Sequence, residues 1–386
     1  MADYLPEDVI VRILERLPIK SLIRFTCVSK HWRFIILSDP EFAKTQFQIA
    51  SQHQTPRHRL LISTACVSEF NSLDLDAPPS PSPLGYNSSV RCPFTQPGGR
   101  HVILLCSCNG LILATLHKEE NMYIWNPSTQ FFKKLPDPAD RPANTRLFGC
   151  GFGYLSATDD YKVVADFRVS SVDEVKGKEM HIFSSKANIW KRTEAPPLFD
   201  YEFEYEGTLS NEALHWLDEL GIVAFDLAKE EFQRMPLPIQ DGEVQSLGAF
   251  GDCLCAFDCA KLDTAGSIDL WVMKKYGVAD SWTKLFNLKV SDQPDQPENI
   301  MCCLPVSVME TSTFMQKVTK PFGGKQKFLN LIRIGHTKQK PEMHELINKS
   351  EYKEMVEYEE TLLCLAAPKI EGRQGQVCGP NEVDAS

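Results

Sequence analysis

Three times in this chain an aromatic residue is followed seven positions later by another: Trp125 and Phe132, Phe183 and Trp190, Phe225 and Phe232. A fourth pair, Trp271 and Trp282, is eleven apart, as if four residues entered the turn. An aromatic on one strand, a polar turn and an aromatic on the next strand describe a hairpin. Successive copies begin 58, 42 and 46 residues apart. Four-stranded blades occupy about 40–50 residues each, so the period favours a β-propeller over a sandwich of unrelated strands. Four copies are visible, and two or three more are needed to close a ring.

The first forty-odd residues have a different texture. Pro6 suits a first helical position, and Glu7 and Asp8 follow where the helix dipole favours anions. At 100° per residue Val9, Ile10, Ile13, Leu14 and Leu17 form a stripe about 140° wide, broader than the roughly 100° that one core requires. Pro18 ends this helix, and Ser21 is the expected N-cap of a second. Leu22, Phe25, Val28 and Trp32 then keep one face apolar until Asp39-Pro40 stops the run, and Phe42 begins another short helix. A unit this size is below the roughly 55–65 residues at which domains stand alone. Its excess apolar surface points to a partner.

Residues 3–48 closely resemble the F-box. The resemblance rests on Leu5-Pro6, Ile13-Leu14, Leu17-Pro18, Lys20-Ser21-Leu22, Cys27-Val28-Ser29-Lys30-His31-Trp32 and Asp39-Pro40-Glu41-Phe42. It implies a module that docks on the Skp adaptor of an SCF (Skp–cullin–F-box) ubiquitin ligase, with cullin and RING subunits joined indirectly. By carry-over, Leu5, Pro6, Ile13, Leu14, Leu17, Pro18, Leu22, Val28 and Trp32 divide between the module's core and the adaptor face. Leu17→Asp is expected to abolish adaptor capture. Residues 100–290 resemble the F-box-associated domain of plant F-box proteins of F-box/kelch-repeat type. That match is carried by Cys108-Asn109-Gly110-Leu111-Ile112, Trp125-Asn126-Pro127-Ser128-Thr129, Gly151-Phe152-Gly153-Tyr154, Leu214-His215-Trp216 and Trp271-Val272-Met273-Lys274-Lys275-Tyr276-Gly277. The double-glycine signature of kelch blades is absent.

The expected organisation is mainly β with an N-terminal α module: an F-box at 1–48, a linker and first propeller strands at 49–100, and propeller repeats at 101–290. A divergent closing region at 291–369 and a loose tail at 370–386 follow. Residues 76–99, rich in Pro, Ser and Gly, read as an irregular loop. Residues 291–340 read as irregular too, with a basic cluster that includes Lys317 and Arg333. Only Tyr358 to Pro368 hints at a final strand.

The chain has 386 residues and a net charge of −10, which disfavours nonspecific nucleic-acid binding. The acidity lies after residue 50, because the first fifty residues hold seven Lys/Arg against six Asp/Glu. No secretory signal is read, and no apolar run reaches the roughly 20 residues of a membrane helix. The thirteen cysteines include no Cys-x-x-Cys and read as reduced thiols, so neither a metal nor a cofactor is expected. Gly149-Cys150-Gly151-Phe152-Gly153 is followed by no helix pattern and reads as a propeller turn. His215 lacks a neighbouring nucleophile or carboxylate and reads as packed or on the rim.

Phe199 to Glu206 alternates aromatic and acidic residues. It reads as a half-buried strand with a solvated acidic side. Tyr201, Phe203 and Tyr205 are its candidates for substrate binding, should the stretch form a rim patch for a basic segment. The functional expectation is a non-catalytic substrate-recognition subunit of an SCF ligase, in the cytoplasm, the nucleus or both. The F-box holds the adaptor and the propeller holds a target for ubiquitination. The alternative is a non-ligase interaction protein that uses its F-box in another assembly or sequesters the adaptor.

Overall fold

The computed structural model describes residues 5–53, 55, 57–63, 69–77, 88–94, 101–117, 119–139, 141, 145–169, 179–194, 206–218, 220–239, 243–290, 300–319, 328–336, 348–349 and 354–365. Four helices come first: α1 (Glu7–Leu14), α2 (Ile19–Phe25), α3 (Lys30–Ser38) and α4 (Pro40–Gln52). Pro6 stands one position ahead of α1, and Pro18 holds the extended cap position of α2. Ser21 is therefore inside α2 and caps nothing. The expected second helix is two helices. Ser29 interrupts the run, and its hydroxyl accepts the Trp32 N–H at 3.1 Å to start α3. Asp39 caps α4 in the same way, accepting from Glu41 and Phe42. At 13 residues α4 is the longest of the four.

Strands follow. They are β1 (His58–Ser63), β2 (Glu69–Asp74), β3 (Ser88–Arg91), β4 (Val102–Cys108), β5 (Leu111–Leu116), β6 (Glu119–Trp125), β7 (Phe132–Lys134), β8 (Thr145–Leu155), β9 (Asp160–Val169), β10 (Glu179–Ser184), β11 (Ile189–Thr193) and β12 (Glu206–Ser210). Then come β13 (Ala213–Asp218), β14 (Gly221–Asp226), β15 (Glu231–Met235), β16 (Val244–Phe250), β17 (Cys253–Asp258), β18 (Ser267–Met273), β19 (Trp282–Lys289), β20 (Ile300–Val308), β21 (Ser312–Thr319), β22 (Phe328–Gly335), β23 (Asn348–Lys349) and β24 (Met355–Glu359).

Among the described residues they form six four-stranded blades. Five are consecutive meanders from β4 to β23; β8 and β12, the leading strands of two of them, pair in parallel and join those blades into one sheet. The remaining blade is composite. β24, from the end of the described chain, pairs antiparallel with β1 and continues the order β24-β1-β2-β3. The leading strands β24, β4, β8, β12, β16 and β20 neighbour one another in that order, and β20 returns to β24. The ring is closed, and the last strand is its clasp.

The aromatic repeat has a direct structural cause. Trp125 faces Phe132, Phe183 faces Trp190 and Phe225 faces Phe232 across the third and fourth strands of three successive blades. The ring centroids of the last two pairs are 5.3 and 4.7 Å apart. The fourth pair departs from expectation: Trp282 opposes Met273, and Trp271 opposes Lys284. A register shift between Leu270 and Trp271 puts the two indoles out of step. Trp282 is anchored otherwise, donating its indole N–H to the Pro236 carbonyl of the preceding blade at 3.1 Å. Trp190 does the same to Pro136 at 2.6 Å.

Other expectations change. Gly149 to Gly153 is no turn but the middle of β8, on the inner ring. A Cβ on Gly151 would lie 2.7 Å from Leu214 and 2.9 Å from Trp216, so the glycine lets the parallel blade approach. The stretch read as a loop at 76–99 contains β3, and 291–340 holds β20, β21 and β22. β20 was hard to read because its pairing shifts at Ile300/Cys302 and at Pro305/Ser307, which breaks the period of two. Arg333 is no solvated cation: its guanidinium lies over Phe314 at 5.2 Å and donates to the Ala77 carbonyl. The side chain of Lys317, the tail after 370 and most of the basic cluster lie outside the described residues.

Candidate functional site

The helical module buries Leu14, Ile19, Leu22, Ile35, Ile36, Phe42 and Ala43 in one small core. An eighth buried member comes from far along the chain: Leu362, three residues beyond β24. Leu363 packs beside it, half-buried. The segment that closes the propeller thus also completes the core of the helices.

Asn126 fixes that segment. It follows β6, is fully buried and uses all four hydrogen-bonding positions of its amide. Its Nδ2 donates to the carbonyls of Thr361 at 3.0 Å and Leu363 at 2.8 Å. Its Oδ1 accepts the N–H groups of Ser128 at 2.8 Å and Thr129 at 3.2 Å. Gly110, at φ +78°, passes so close to Glu359 and Thr361 that a Cβ there would collide with both. Arg57 locks the other side. It pairs with Glu359 at 3.0 Å, lies 4.7 Å over the Phe47 ring of α4, and accepts the Glu360 N–H on its carbonyl. Lys44 of α4 reaches Asp159, in the β8–β9 turn, at 2.6 Å. That contact holds the Asp159 carboxyl below, and the Lys44 ammonium above, their ordinary ranges. The helices therefore sit on the face of the ring that carries the β4–β5, β6–β7 and β8–β9 turns.

Against this seat, the nine positions expected to share core and adaptor duties divide clearly. Leu14 and Leu22 are buried in the module. Leu17 and Trp32 are half-buried against the same core, and Trp32 meets Phe25 edge-on at 5.7 Å. Leu5 (60% exposed), Ile13 (49%) and Val28 (58%) stand in solvent, as do Pro6 and Pro18. Leu17→Asp would thus injure the core, so it does not isolate docking as expected. Sequence reasoning missed Phe34, 60% exposed on α3. Its position was the available signal: it falls between Trp32 and Ile35 and off their apolar stripe, where a phenylalanine has no core to fill. His31 and Glu7 join α3 to the start of α1 at 2.7 Å beside this surface.

The remaining candidates separate as well. Tyr201, Phe203 and Tyr205 lie between β11 and β12, outside the described residues. His215 is fully buried on β13. Its Nδ1 donates to the Thr208 carbonyl at 3.1 Å and its Nε2 accepts from the Tyr276 hydroxyl at 2.8 Å. Burial lowers its pKa to about 4, which keeps the ring neutral. Among the described residues no group of three or more His, Cys, Asp or Glu side chains is placed to hold a metal ion. No described helix is long and apolar enough to cross a membrane.

Comparison with known proteins agrees with this two-part architecture. Residues 3–44 match the F-box domain, and residues 89–366 match the F-box associated beta propeller domain. The F-box protein CPR1 of Arabidopsis thaliana is 32% identical over 317 residues, spanning 74% of this chain and 73% of its own. The F-box/kelch-repeat protein At3g23880 of the same plant is 26% identical over 316 residues, spanning 74% and 79%. Among solved structures, apo AztD from Citrobacter koseri aligns with 78% of this chain and 98% of its own, at 9% identity and a TM-score of 0.37, too low to carry an argument. The chain belongs to the F-box proteins that carry an F-box associated beta propeller domain.

Proposed function

We propose that this protein is a substrate-recognition subunit of an SCF ubiquitin ligase. Its F-box binds a Skp-type adaptor and its propeller holds a target protein for ubiquitination and degradation, in the cytoplasm, the nucleus or both. The chain itself supplies no catalytic step; transfer is left to a ubiquitin-conjugating enzyme brought near by the cullin and RING subunits. The contribution is proximity, because tethering presents target lysines at high effective concentration. The observation that carries the reading is the exposed apolar set ahead of α4, Leu5, Ile13, Val28 and Phe34, in a module that is seated on the propeller through Lys44 and Phe47 of α4. Four large apolar side chains left in solvent by one small module point to an interaction surface.

Val28→Asp tests it. Val28 lies in the α2–α3 turn and is exposed, so the variant should melt like the parent protein. A central apolar anchor contributes about 2 kcal/mol or more to an interface, or roughly 30-fold in affinity. Binding of a purified Skp-type adaptor should fall by that factor. Adaptor binding at parental strength by both Val28→Asp and Ile13→Asp would refute the assignment.

A further inference from the structure

The helices ahead of α4 are charged unlike the chain as a whole. Residues 5–38 hold six Lys/Arg against three Asp/Glu, in a protein whose net charge is −10. All six cations are exposed. On α4 and the propeller, cations such as Lys44, Arg57, Arg59, Lys162, Arg234 and Lys284 each meet a carboxylate at 2.6–3.2 Å. Among the described residues the one ion pair within 5–38 is His31 with Glu7 at 2.7 Å, and it uses none of the six. Lys20 lies within electrostatic reach of Glu360 on the closing segment. The other five, Arg12, Arg16, Arg24, Lys30 and Arg33, have no described carboxylate in ion-pair contact.

These five stand beside the exposed apolar residues. On α1, Arg12 lies opposite the buried Leu14 and next to Ile13. The Arg16 guanidinium donates to the Arg12 carbonyl at 2.7 Å, which keeps it near Arg12. Arg24 ends α2 at the turn that bears Val28, and its carbonyl accepts the Cys27 N–H at 3.4 Å. On α3, Lys30, Arg33 and Phe34 share an arc of about 100°, opposite the buried Ile35 and Ile36. Ile13, Val28 and Phe34 thus each have cations for neighbours. Long cationic side chains around an apolar contact form a polar rim, which keeps its charges in water while the centre is covered.

We propose that this face is an electrostatic landing surface for an acidic adaptor, whose carboxylates surround its apolar contact and meet Arg12, Arg16, Arg24, Lys30 and Arg33. The proposal rests on the receptor reading above and adds the chemistry of the partner. Complementary charge at a rim chiefly raises the association rate, whereas the apolar centre sets the dissociation rate. An anionic membrane would also attract the five cations, but it would repel a chain whose acidity lies in the propeller behind them. A protein with a confined acidic patch meets the helices alone.

The test measures association and dissociation of the full chain with a purified Skp-type adaptor between ~50 and ~500 mM salt. The association rate should fall about tenfold or more across that range, and the dissociation rate should change less than about threefold. The triple variant Arg12→Gln/Arg16→Gln/Arg33→Gln alters exposed side chains only, with folding checked by circular dichroism. It should lower the association rate at ~50 mM salt by about tenfold and flatten its salt dependence. Lys274→Gln/Lys275→Gln/Lys289→Gln removes the same charge from exposed positions on the propeller and should change the rate less than about twofold. Equal effects of the two triple variants would overturn the landing surface, because net charge alone would then explain the steering. Tight adaptor binding whose rate ignores both salt and the first triple variant would overturn it and leave the receptor reading standing. No adaptor binding at any salt would defeat both. Sedimentation of the parent, but not of the first triple variant, with vesicles of equimolar phosphatidylserine and phosphatidylcholine would replace the acidic adaptor by a membrane.

Discussion

The propeller and the helical module treat apolar side chains differently. In the blades the large aromatics Trp125, Trp216, Phe183 and Phe225 are completely buried, each blade covering its neighbour. Eight large apolar side chains are exposed among the described residues. Four of them, Ile189, Leu220, Val278 and Leu285, are scattered over three blades. The other four, Leu5, Ile13, Val28 and Phe34, all fall in the helical module, whose own core must borrow Leu362. A ring has no free ends and can bury nearly everything. A four-helix unit of this size has a surface too large for its interior, and it covers one side with its own chain's end. What it leaves uncovered is the apolar set proposed to meet an adaptor.

The strongest way to break this contrast is at the shared residue. Leu362→Asp places a charge in the module core and should cost about 3–5 kcal/mol there. Hydrogen exchange should show α1 to α4 losing protection while the strands of the β8–β15 sheet keep theirs. Unchanged protection in the helices would mean that the module is self-sufficient. Acid should attack the propeller first by another route. His215 has its pKa lowered to about 4 by burial, against an ordinary value near 6.5. The unfolded chain therefore binds the extra proton between those values. Stability from this group is full above about pH 6.5 and is lost as pH falls through about 4, by about 3 kcal/mol. His215→Gln should flatten that limb of the stability–pH curve measured by denaturant melts.

Smaller effects sharpen the boundary between the two regions. Asn126→Ala removes the two bonds that hold Thr361 and Leu363, and should cost about 1–3 kcal/mol. Its signature is loosened exchange at the helices as well as at the β6–β7 turn. Phe34→Ala is the smallest. An exposed side chain with no core to leave should change the melting free energy by no more than about 0.5 kcal/mol, while adaptor affinity drops. A large stability loss would mean that Phe34 belongs to the core.

Much of the ring was legible because its signal is local. Trp125 and Phe132 sit seven apart since a short turn places them opposite each other. Trp271 and Trp282 misled because a bulge moves the partner without moving the residue type. The helices were legible as helices, but Ser29 rather than Ser21 caps one, since Pro18 already sets the start of α2. The division of the nine docking candidates was not legible: Leu14 and Ile13 are both apolar and adjacent, and only packing separates them. Leu362 could not be foreseen in the module, because ring closure brings it there across the whole chain.

The central claim is that α4 and the 361–363 segment seat the module on the propeller while the exposed apolar residues ahead of α4 are kept for an adaptor. Hydrogen exchange of the full chain, with and without saturating Skp-type adaptor, tests it most directly. The account predicts new protection confined to residues 5–13 and 26–34, with 361–363 and the blades unchanged. Protection appearing in the blades, with the helices unaltered, would contradict it.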